Sequence, residues 1–279
     1  MRYALDVAPL GELADPRAMV RLAVAAEAAG WDGLSTWDSL AGSMGGVASD
    51  PFVDLAAVAS ATTRLRLILS VVALPRRRPQ LVAQAAATLD RWSGGRLVLG
   101  VGAGGDPLDF TPFGESFEAR DRVAALDEGL ALVDAFLRGE AVSHDGPRYF
   151  ARDVAAVSPR PVQEPRPPIW IGGMKPGALR RAARWDGWIG IATSEDGSSL
   201  ELTPEAFGEM VERLDAERAA AGRADAPFDV AVFAFSEPDE RDLVARYEAA
   251  GATWWLESVS PLRGTFEQLL ARVEAGPPR

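Results

Sequence analysis

The chain has 279 residues, of which 48% are hydrophobic and 25% are charged, so it can bury the core of one large globular domain. Its net charge is −11 and its basic stretches, "PRRRP" and "LRRAARW", are short, so we expect no nucleic-acid partner. The absence of cysteine excludes disulfides, thiolate catalysis and zinc–thiolate sites, and with a single histidine no metal site is predicted.

The sequence also argues against a membrane protein. The first residues, "MRYALDVAPLGEL", lack the hydrophobic core of a signal peptide, and no apolar run reaches the length that spans a bilayer. We therefore expect a cytoplasmic location and no membrane partner.

Short β-rich runs alternate with helical patterns eight times along the chain. The predicted strands are 2–7, 32–37, 65–72, 96–101, 168–171, 187–192, 228–235 and 253–257. The helices between them are predicted to begin near Asp15, Pro51, Pro79, Phe117, Pro176, Thr203, Glu237 and Gly264. Eight such pairs predict an α/β protein, a single (β/α)8 TIM barrel over residues 1–279, with its small-molecule pocket at the carboxyl ends of the strands.

One segment, residues 139–167, interrupts this alternation between the fourth and fifth strands. It is rich in proline and polar residues, and "AVSHDGPRYF" within it predicts a small hairpin around Asp145 and Gly146. We interpret the segment as an insertion across the mouth of the barrel. The only histidine, His144, lies in it and is predicted to be a solvated turn residue and not a catalytic one.

Two glycine-rich stretches follow predicted strands. Gly100, Gly102 and Gly105 match a dinucleotide-binding fingerprint, but "DPLDFTPFG" stands where the phosphate-binding helix would begin, so we expect a glycine-lined strand end and no Rossmann loop. The second stretch, "IGGMKPG", places two glycines and a lysine directly before a predicted helix. It is the better phosphate candidate, and tight loop packing is the alternative explanation.

Several longer segments resemble the bacterial luciferase-like flavin-dependent oxidoreductases, among them "LDRWSGGRLVLGVGAGG", "PRPVQEPRPPIWIGG" and "AGATWWLE". The resemblance covers most of the chain and implies a (β/α)8 barrel that binds FMN or coenzyme F-420, with F-420 favoured. It implies that Ser70 and Val71 form a bulge with a non-proline cis peptide behind the cofactor ring. It further implies a homodimer, and the cofactor-binding residues Asp38, Ser70, Val71, Gly102, Ala103, Gly104, Gly172, Gly173, Met174 and Lys175.

Asp38 marks a departure from the family, in which much of the membership has an Asp-His pair at this position. Here Ser39 replaces the histidine, and Gly105 replaces a glutamate of the deazaflavin sugar-phosphate dehydrogenases. We therefore predict hydride delivery to an activated C=C or C=N bond, with solvent or Asp38 supplying the proton. Asp38 is accordingly the predicted catalytic residue, provided that burial raises its pKa.

Other side chains allow two interpretations. One interpretation places Trp37 and either Trp254 or Trp255 in the wall of the ring pocket, and the other places them in the core. The arginines of "PRRRP", residues 76–78, bind an anionic cofactor tail or form a charge cluster. Two alternative functions remain at this point: a cofactor-binding barrel without turnover, and a non-redox barrel enzyme. The acids for the latter would be Asp38, Asp106, Glu195 and Glu257.

Overall fold

The computed structural model describes residues 1–40, 46–191, 201–237 and 240–279. Its strands are β1 (Arg2–Val7), β2 (Gly33–Thr36), β3 (Arg66–Leu69), β4 (Val72–Ala73), β5 (Leu97–Gly102), β6 (Val142–Asp145), β7 (Phe150–Val154), β8 (Ile169–Gly172), β9 (Gly187–Gly190), β10 (Asp229–Ala234) and β11 (Trp254–Val259). Parallel pairing runs from β1 through β2, β3, β5, β8, β9, β10 and β11 and returns to β1. The ring is closed, and the predicted barrel is confirmed.

A helix follows every strand of the ring. The helices are α1 (Pro16–Ala29), α2 (Pro51–Ala61), α3 (Pro79–Ser93), α4 (Ala119–Leu137), α5 (Pro176–Ala182), α6 (Pro204–Ala220), α7 (Arg241–Ala249) and α8 (Phe266–Glu274). The side chains of Asp15, Asp50 and Thr203 accept hydrogen bonds from the first backbone N–H groups of α1, α2 and α6, each ahead of a proline at the first helical position. In the described part of the chain, no helix is both long and apolar enough to cross a bilayer.

Most predicted strands differ from the observed ones by one or two residues at their ends. The third, predicted over residues 65–72, is divided into β3 and β4 by the bulge that the family resemblance implied at Ser70 and Val71. The sixth was expected to end at Ala192, which lies outside the described residues.

The interior of the barrel is filled at its amino-terminal end by apolar side chains. Trp170 and Trp254 meet there edge to face, with ring centroids 5.7 Å apart, and Ile68 and Val98 pack beside them. Alternation along each strand sends the neighbouring residues outward against the helices, where the larger part of the core lies. Because this end is closed by bulky side chains, the space for a ligand lies toward the carboxyl ends of the strands.

The insertion contains the predicted hairpin, formed by the antiparallel strands β6 and β7. His144 lies in β6 and not in the turn, which corrects the sequence-based expectation. Its Nε2 is 2.8 Å from Glu128 Oε1 on α4, and the same carboxylate accepts a 2.8 Å hydrogen bond from the backbone of Tyr149. The histidine thus fastens the hairpin to the barrel.

Candidate active site

A cavity of about 650 Å³ opens at the carboxyl ends of the strands. This volume lies within the range of small-molecule and cofactor sites. Its walls are mainly apolar side chains and glycine backbone, with cationic groups among them. The lining residues are Asp6, Ser70, Val71, Gly102, Ala103, Gly104, Gly105, Ala119, Arg122, Val123, Leu126, Gly172, Gly173, Met174, Lys175, Gly177, Ala178, Arg181, Ile189, Ile191, Phe233 and Leu256.

Val71 projects from the bulge between β3 and β4 toward the neighbouring strand ends. The Ser70–Val71 peptide is cis, as the resemblance implied. A Cβ atom on Gly102 would lie 2.7 Å from one γ-methyl of Val71, and a Cβ on Gly172 would lie 2.9 Å from the other. Both strand ends therefore need glycine so that Val71 can pack between them.

The same close packing explains the other glycines in and after β5. Glycines at a strand end can make room for a ligand, but a Cβ on Gly100 would collide with the carbonyl oxygen of Leu69. Gly104 has a φ of 78°, and a Cβ there would lie 2.7 Å from the ring of Phe110. Only Gly105 of this stretch faces open space. The protein's own packing, and not only a ligand, requires most of these glycines.

Arg122 on α4 holds the loop that follows β5. Its guanidinium donates to the carbonyl oxygens of Ala103 (3.4 Å) and Gly104, and it lies 4.0 Å from the centroid of the Phe117 ring. Desolvation lowers the pKa of the guanidinium from its ordinary value, but the group remains a cation. Sequence reasoning overlooked this residue, because nothing in the pattern of α4 separates it from the other arginines there.

The loop between β8 and α5 continues the wall beside the end of β5, and Gly172, Gly173, Met174 and Lys175 of this loop all line the cavity. Gly173 has a φ of 123°, which favours glycine, and its carbonyl accepts a 2.8 Å hydrogen bond from Trp188 Nε1. The side chain of Lys175 is exposed to solvent. The loop is therefore fixed by Trp188 while its lysine is available to a ligand.

Of the ten predicted cofactor-binding residues, Asp38 is the one that does not line the cavity. Its carboxylate accepts two hydrogen bonds from Arg77, of 3.0 and 2.8 Å, and lies 3.0 Å from Arg76. The side chains of Asp38 and Arg76 are 1% and 3% exposed. Ser39, which occupies the family's histidine position, donates a 3.2 Å hydrogen bond to Asp109. The structure thus places Asp38 in a buried ion-pair cluster beside the site, which also accounts for two of the three arginines of "PRRRP".

Asp6, by contrast, lines the cavity and was not a candidate from the sequence. Ala4 and Asp6 both face the inside of the barrel from β1, and Asp6 is 3% exposed. Its Oδ1 accepts hydrogen bonds from Ser70 Oγ, at 2.5 Å, and from Ser35 Oγ. Burial raises the pKa of this carboxyl from 3.8 to about 6, against the opposing effect of the two serine hydroxyls.

The remaining candidates that the structure describes are not among the residues that line the cavity. Trp254 closes the far end of the barrel, and Trp255 packs outside it, 5.5 Å from the Tyr247 ring. Asp106 caps a short 3-10 turn by accepting from the Leu108 backbone, and Glu257 is buried and hydrogen-bonded to Ser236. Neither these residues nor Trp37 are among the lining residues. Glu195 lies outside the described residues.

Across the described ranges, no group of three or more histidine or acidic side chains is arranged to hold a metal ion. The polar groups of the cavity are instead one carboxyl, one serine hydroxyl and three cationic side chains, those of Arg122, Lys175 and Arg181. Arg181 is already paired with Asp127 on α4, at 2.5 Å. Such a site suits an apolar ring with an anionic tail better than it suits a metal.

Comparison with known proteins points to one family. Residues 3–275 match the model described as luciferase-like monooxygenase. Over 190 residues, 66% of this chain, the sequence is 37% identical to the F-420-dependent glucose-6-phosphate dehydrogenase of Beutenbergia cavernae. The match spans 55% of that dehydrogenase, so a large part of its length has no counterpart in the comparison.

Two solved structures share the fold over almost the whole chain. The monooxygenase RslO1 of Streptomyces bottropensis is 22% identical with a TM-score of 0.80, covering 99% of this chain and 97% of its own. The coenzyme F-420-dependent tetrahydromethanopterin reductase of Methanopyrus kandleri is 18% identical with a TM-score of 0.78, covering 98% and 96%.

Proposed function

The chain belongs to the luciferase-like monooxygenase family of oxidoreductases, and on that premise we propose that it binds coenzyme F-420 in the cavity and transfers hydride to a small organic substrate. The observation that carries the proposal is the shape of the cavity wall. The Ser70–Val71 bulge meets the glycine-rich ends of β5 and β8 there, so that the wall consists largely of backbone and Val71 methyl groups. A flat ring can lie against such a wall without meeting long side chains.

The charges around the cavity fit the rest of the cofactor. F-420 and FMN both carry a phosphate on the chain attached to the ring, and the exposed Lys175 stands beside the glycine backbone of the β8–α5 loop. In our proposal Gly172, Gly173, Met174 and Lys175 bind this phosphate. Ser70, Val71, Gly102, Ala103 and Gly104 hold the ring. Arg122 acts beside them by fixing the loop after β5, which carries Ala103 and Gly104.

The proposed reaction is hydride transfer to a polarised C=C or C=N bond. When bound, the reduced cofactor supplies the hydride, and the protein contributes orientation, exclusion of water and a proton. Oxidation of an alcohol needs a base near neutral pH at the hydroxyl group. The family position for such a base is occupied here by Ser39, which lies off the cavity and donates to Asp109. This favours reduction of an activated double bond over alcohol oxidation.

The sequence identity to an F-420-dependent dehydrogenase supports F-420 over FMN. An absorbance and fluorescence titration of the purified protein with each cofactor tests the choice. We expect saturable binding of F-420 and weaker binding of FMN. Stronger binding of FMN would reassign the cofactor within the same family, and binding of neither would remove the proposed function.

The phosphate position has a matched test. We expect Gly173→Val to weaken cofactor binding at least about tenfold, because the left-handed backbone of the β8–α5 loop cannot accept a β-branched residue unchanged. Gly222→Val is the control, since Gly222 also has a positive φ, of 68°, but lies after α6 and away from the cavity. Equal effects of the two variants on cofactor affinity would place the phosphate elsewhere.

We further propose a homodimer formed through α2 and α3. Val53, Leu81 and Trp92 on these helices are 60%, 59% and 66% exposed. Trp92 Nε1 donates a 3.1 Å hydrogen bond to Ser60 on α2, so the two helices present these side chains on adjoining surfaces. Sedimentation at micromolar concentration should give twice the chain mass. A stable monomer would contradict the dimer but not the cofactor assignment.

A further inference from the structure

Asp6 is the only carboxyl group among the described residues that line the cavity. It lies on the inner face of β1, and the register of the barrel brings Ser35 of β2 opposite it. Ser70 Oγ is 2.5 Å from Asp6 Oδ1 and 2.6 Å from Ser35 Oγ, so the carboxyl and two hydroxyls form one hydrogen-bonded cluster. Both serines donate to Oδ1, which leaves Oδ2 outside these bonds.

The Asp6 carboxyl differs from the buried carboxylates that form ion pairs elsewhere in the structure, because its cluster contains no cation. Within the described ranges Asp6 has no salt bridge, whereas Asp38 faces two arginines and Glu257 faces Arg263. Along β11, next to β1, Glu257 alternates with the inward Leu256 and so points to the outer face of the barrel. A buried carboxyl without a cation is expected to retain its proton to higher pH than usual, and burial does raise the pKa of Asp6 to about 6.

The charged side chains that share the cavity with Asp6 come from two other elements. Arg122 extends from α4 to the carbonyl groups after β5, and Lys175 and Arg181 come from the β8–α5 region, where Arg181 is bound to Asp127. None of the three forms an ion pair with Asp6. The carboxyl is therefore set apart from the cations that suit a cofactor phosphate.

We propose that Asp6 is a catalytic acid that holds a proton at Oδ2 on the cavity wall and gives it to the substrate as hydride arrives. The inference deepens the proposed function and rests on it. It also supplies the proton that the sequence had assigned to solvent or Asp38.

The step is balanced for a C=N or C=C bond. Hydride from the reduced cofactor forms a new C–H bond at one atom, and the π-electron pair moves to the other atom. The Oδ2–H bond of Asp6 breaks as that second atom gains its N–H or C–H bond. The substrate gains two electrons and two hydrogens, the cofactor is oxidised by two electrons, and the Asp6 carboxylate recovers a proton from water. Ser35 and Ser70 hold the carboxylate through their hydrogen bonds to Oδ1.

Two aspartates allow a controlled test, because burial raises the pKa of both Asp6 and Asp54 to about 6. Asp54 lies on α2, hydrogen-bonded to Ser49, and does not line the cavity. Carbon-13 NMR of the carboxyl groups, assigned with Asp6→Asn and Asp54→Asn, follows each titration with and without F-420. We expect binding of F-420 to raise the Asp6 midpoint by about one pH unit, since the ring displaces water, and to leave the Asp54 midpoint unchanged.

Turnover gives the second measurement, with a panel of enones and imines as hydride acceptors and the absorbance of reduced F-420 as the signal. We expect Asp6→Asn to lower kcat about 100-fold or more while F-420 affinity changes less than about threefold, and Asp54→Asn to retain wild-type turnover.

An unmoved Asp6 midpoint in protein shown by absorbance to be saturated with F-420 would overturn the inference and leave the proposed function intact. Unchanged kcat and pH profile in Asp6→Asn would do the same. Failure of both F-420 and FMN to bind would remove the proposed function, and this inference with it.

Discussion

Ser70 Oγ lies 2.5 Å from Asp6 Oδ1, which joins the first residue of the bulge to the acid of β1. Ser35 of β2 completes the cluster, so three adjacent strands meet at one carboxyl group on the cavity wall. In a closed barrel, inward-facing residues of neighbouring strands lie at similar levels, which brings together side chains far apart in the sequence. Through this cluster, the geometry of the bulge affects the protonation state of the Asp6 carboxyl.

The first prediction concerns stability against pH. Because the pKa of Asp6 is raised from 3.8 to about 6, the folded protein keeps this proton over a range in which the unfolded chain loses it. The contribution of Asp6 to the free energy of unfolding is therefore greatest below about pH 4 and falls as the pH rises to about 6, by about 3 kcal/mol in all. The free energy of unfolding of Asp6→Asn, measured relative to wild type, should therefore increase by about 3 kcal/mol between about pH 4 and pH 8.

Urea unfolding of both proteins across this pH range measures the difference. Taking the variant against wild type cancels the contribution of Asp54, which has its pKa raised over the same interval. A difference that does not change with pH would mean that Asp6 titrates at its ordinary value in the folded protein.

A second prediction separates the effect of hydrogen bonding from that of burial. The Ser35 hydroxyl lowers the pKa of Asp6 by donating to its ionised form, while burial raises it. Ser35→Ala should therefore raise the midpoint of Asp6 further, by about one pH unit. Ser49→Ala should do this to Asp54 and leave Asp6 unchanged, because Ser49 donates to Asp54 at 2.5 Å. A downward movement of the Asp6 midpoint in Ser35→Ala would contradict the arrangement.

The sequence predicted the barrel well because its information is local. Strand and helix periods alternate eight times, and capping residues such as Asp15 and Thr203 stand directly before proline. Asp6 escaped notice for the opposite reason. Within "RYALDV" it is a single acid in an apolar strand, and its partners Ser35 and Ser70 are 29 and 64 residues away. Only the register of the closed barrel shows that the three side chains meet.

Asp38 also shows that contacts between residues far apart in the chain are not visible in the sequence. Its position at the end of β2 made it the natural candidate for the site, and family resemblance strengthened that expectation. No local pattern indicated that Arg76 and Arg77, 38 and 39 residues later, would enclose its carboxylate. For Asp6, by contrast, the sequence does contain a signal. It is an acid among apolar residues of a strand, at a position that faces the inside of the barrel.

The third prediction tests why β5 and β8 end in glycine. Gly102→Ala should destabilise the protein by about 1–3 kcal/mol, because the new methyl group would lie 2.7 Å from a methyl of Val71. Gly105→Ala is the control, since a Cβ there meets nothing within 4 Å. The double variant with Val71→Ala should recover part of the loss, because the colliding methyl is gone. Equal unfolding free energies for Gly102→Ala and Gly105→Ala would disprove the packing argument.

The last prediction tests whether Asp6 or Asp38 supplies the proton to the substrate. Of the carboxylate partners that the structure describes for the buried Arg76, Asp38→Asn leaves Asp109, at 3.7 Å, so we expect a loss of about 3 kcal/mol in the free energy of unfolding. Arg77 retains Asp50 at 2.9 Å, which limits the loss. Because Asp38 does not line the cavity, F-420 affinity and the pH profile of turnover should stay as in wild type.

Ser39→His completes the comparison by restoring the family's imidazole. Ser39 is 5% exposed and lies against Asp109, so the larger ring should reduce stability without adding a new ionisation to the turnover profile. Thermal unfolding and pH–rate profiles of Asp38→Asn, Ser39→His and Asp6→Asn, measured side by side, decide the assignment. If the profile became flat in Asp38→Asn and kept its wild-type shape in Asp6→Asn, the proton would come from Asp38, and the ion pair with Arg76 and Arg77 would have to open during the reaction.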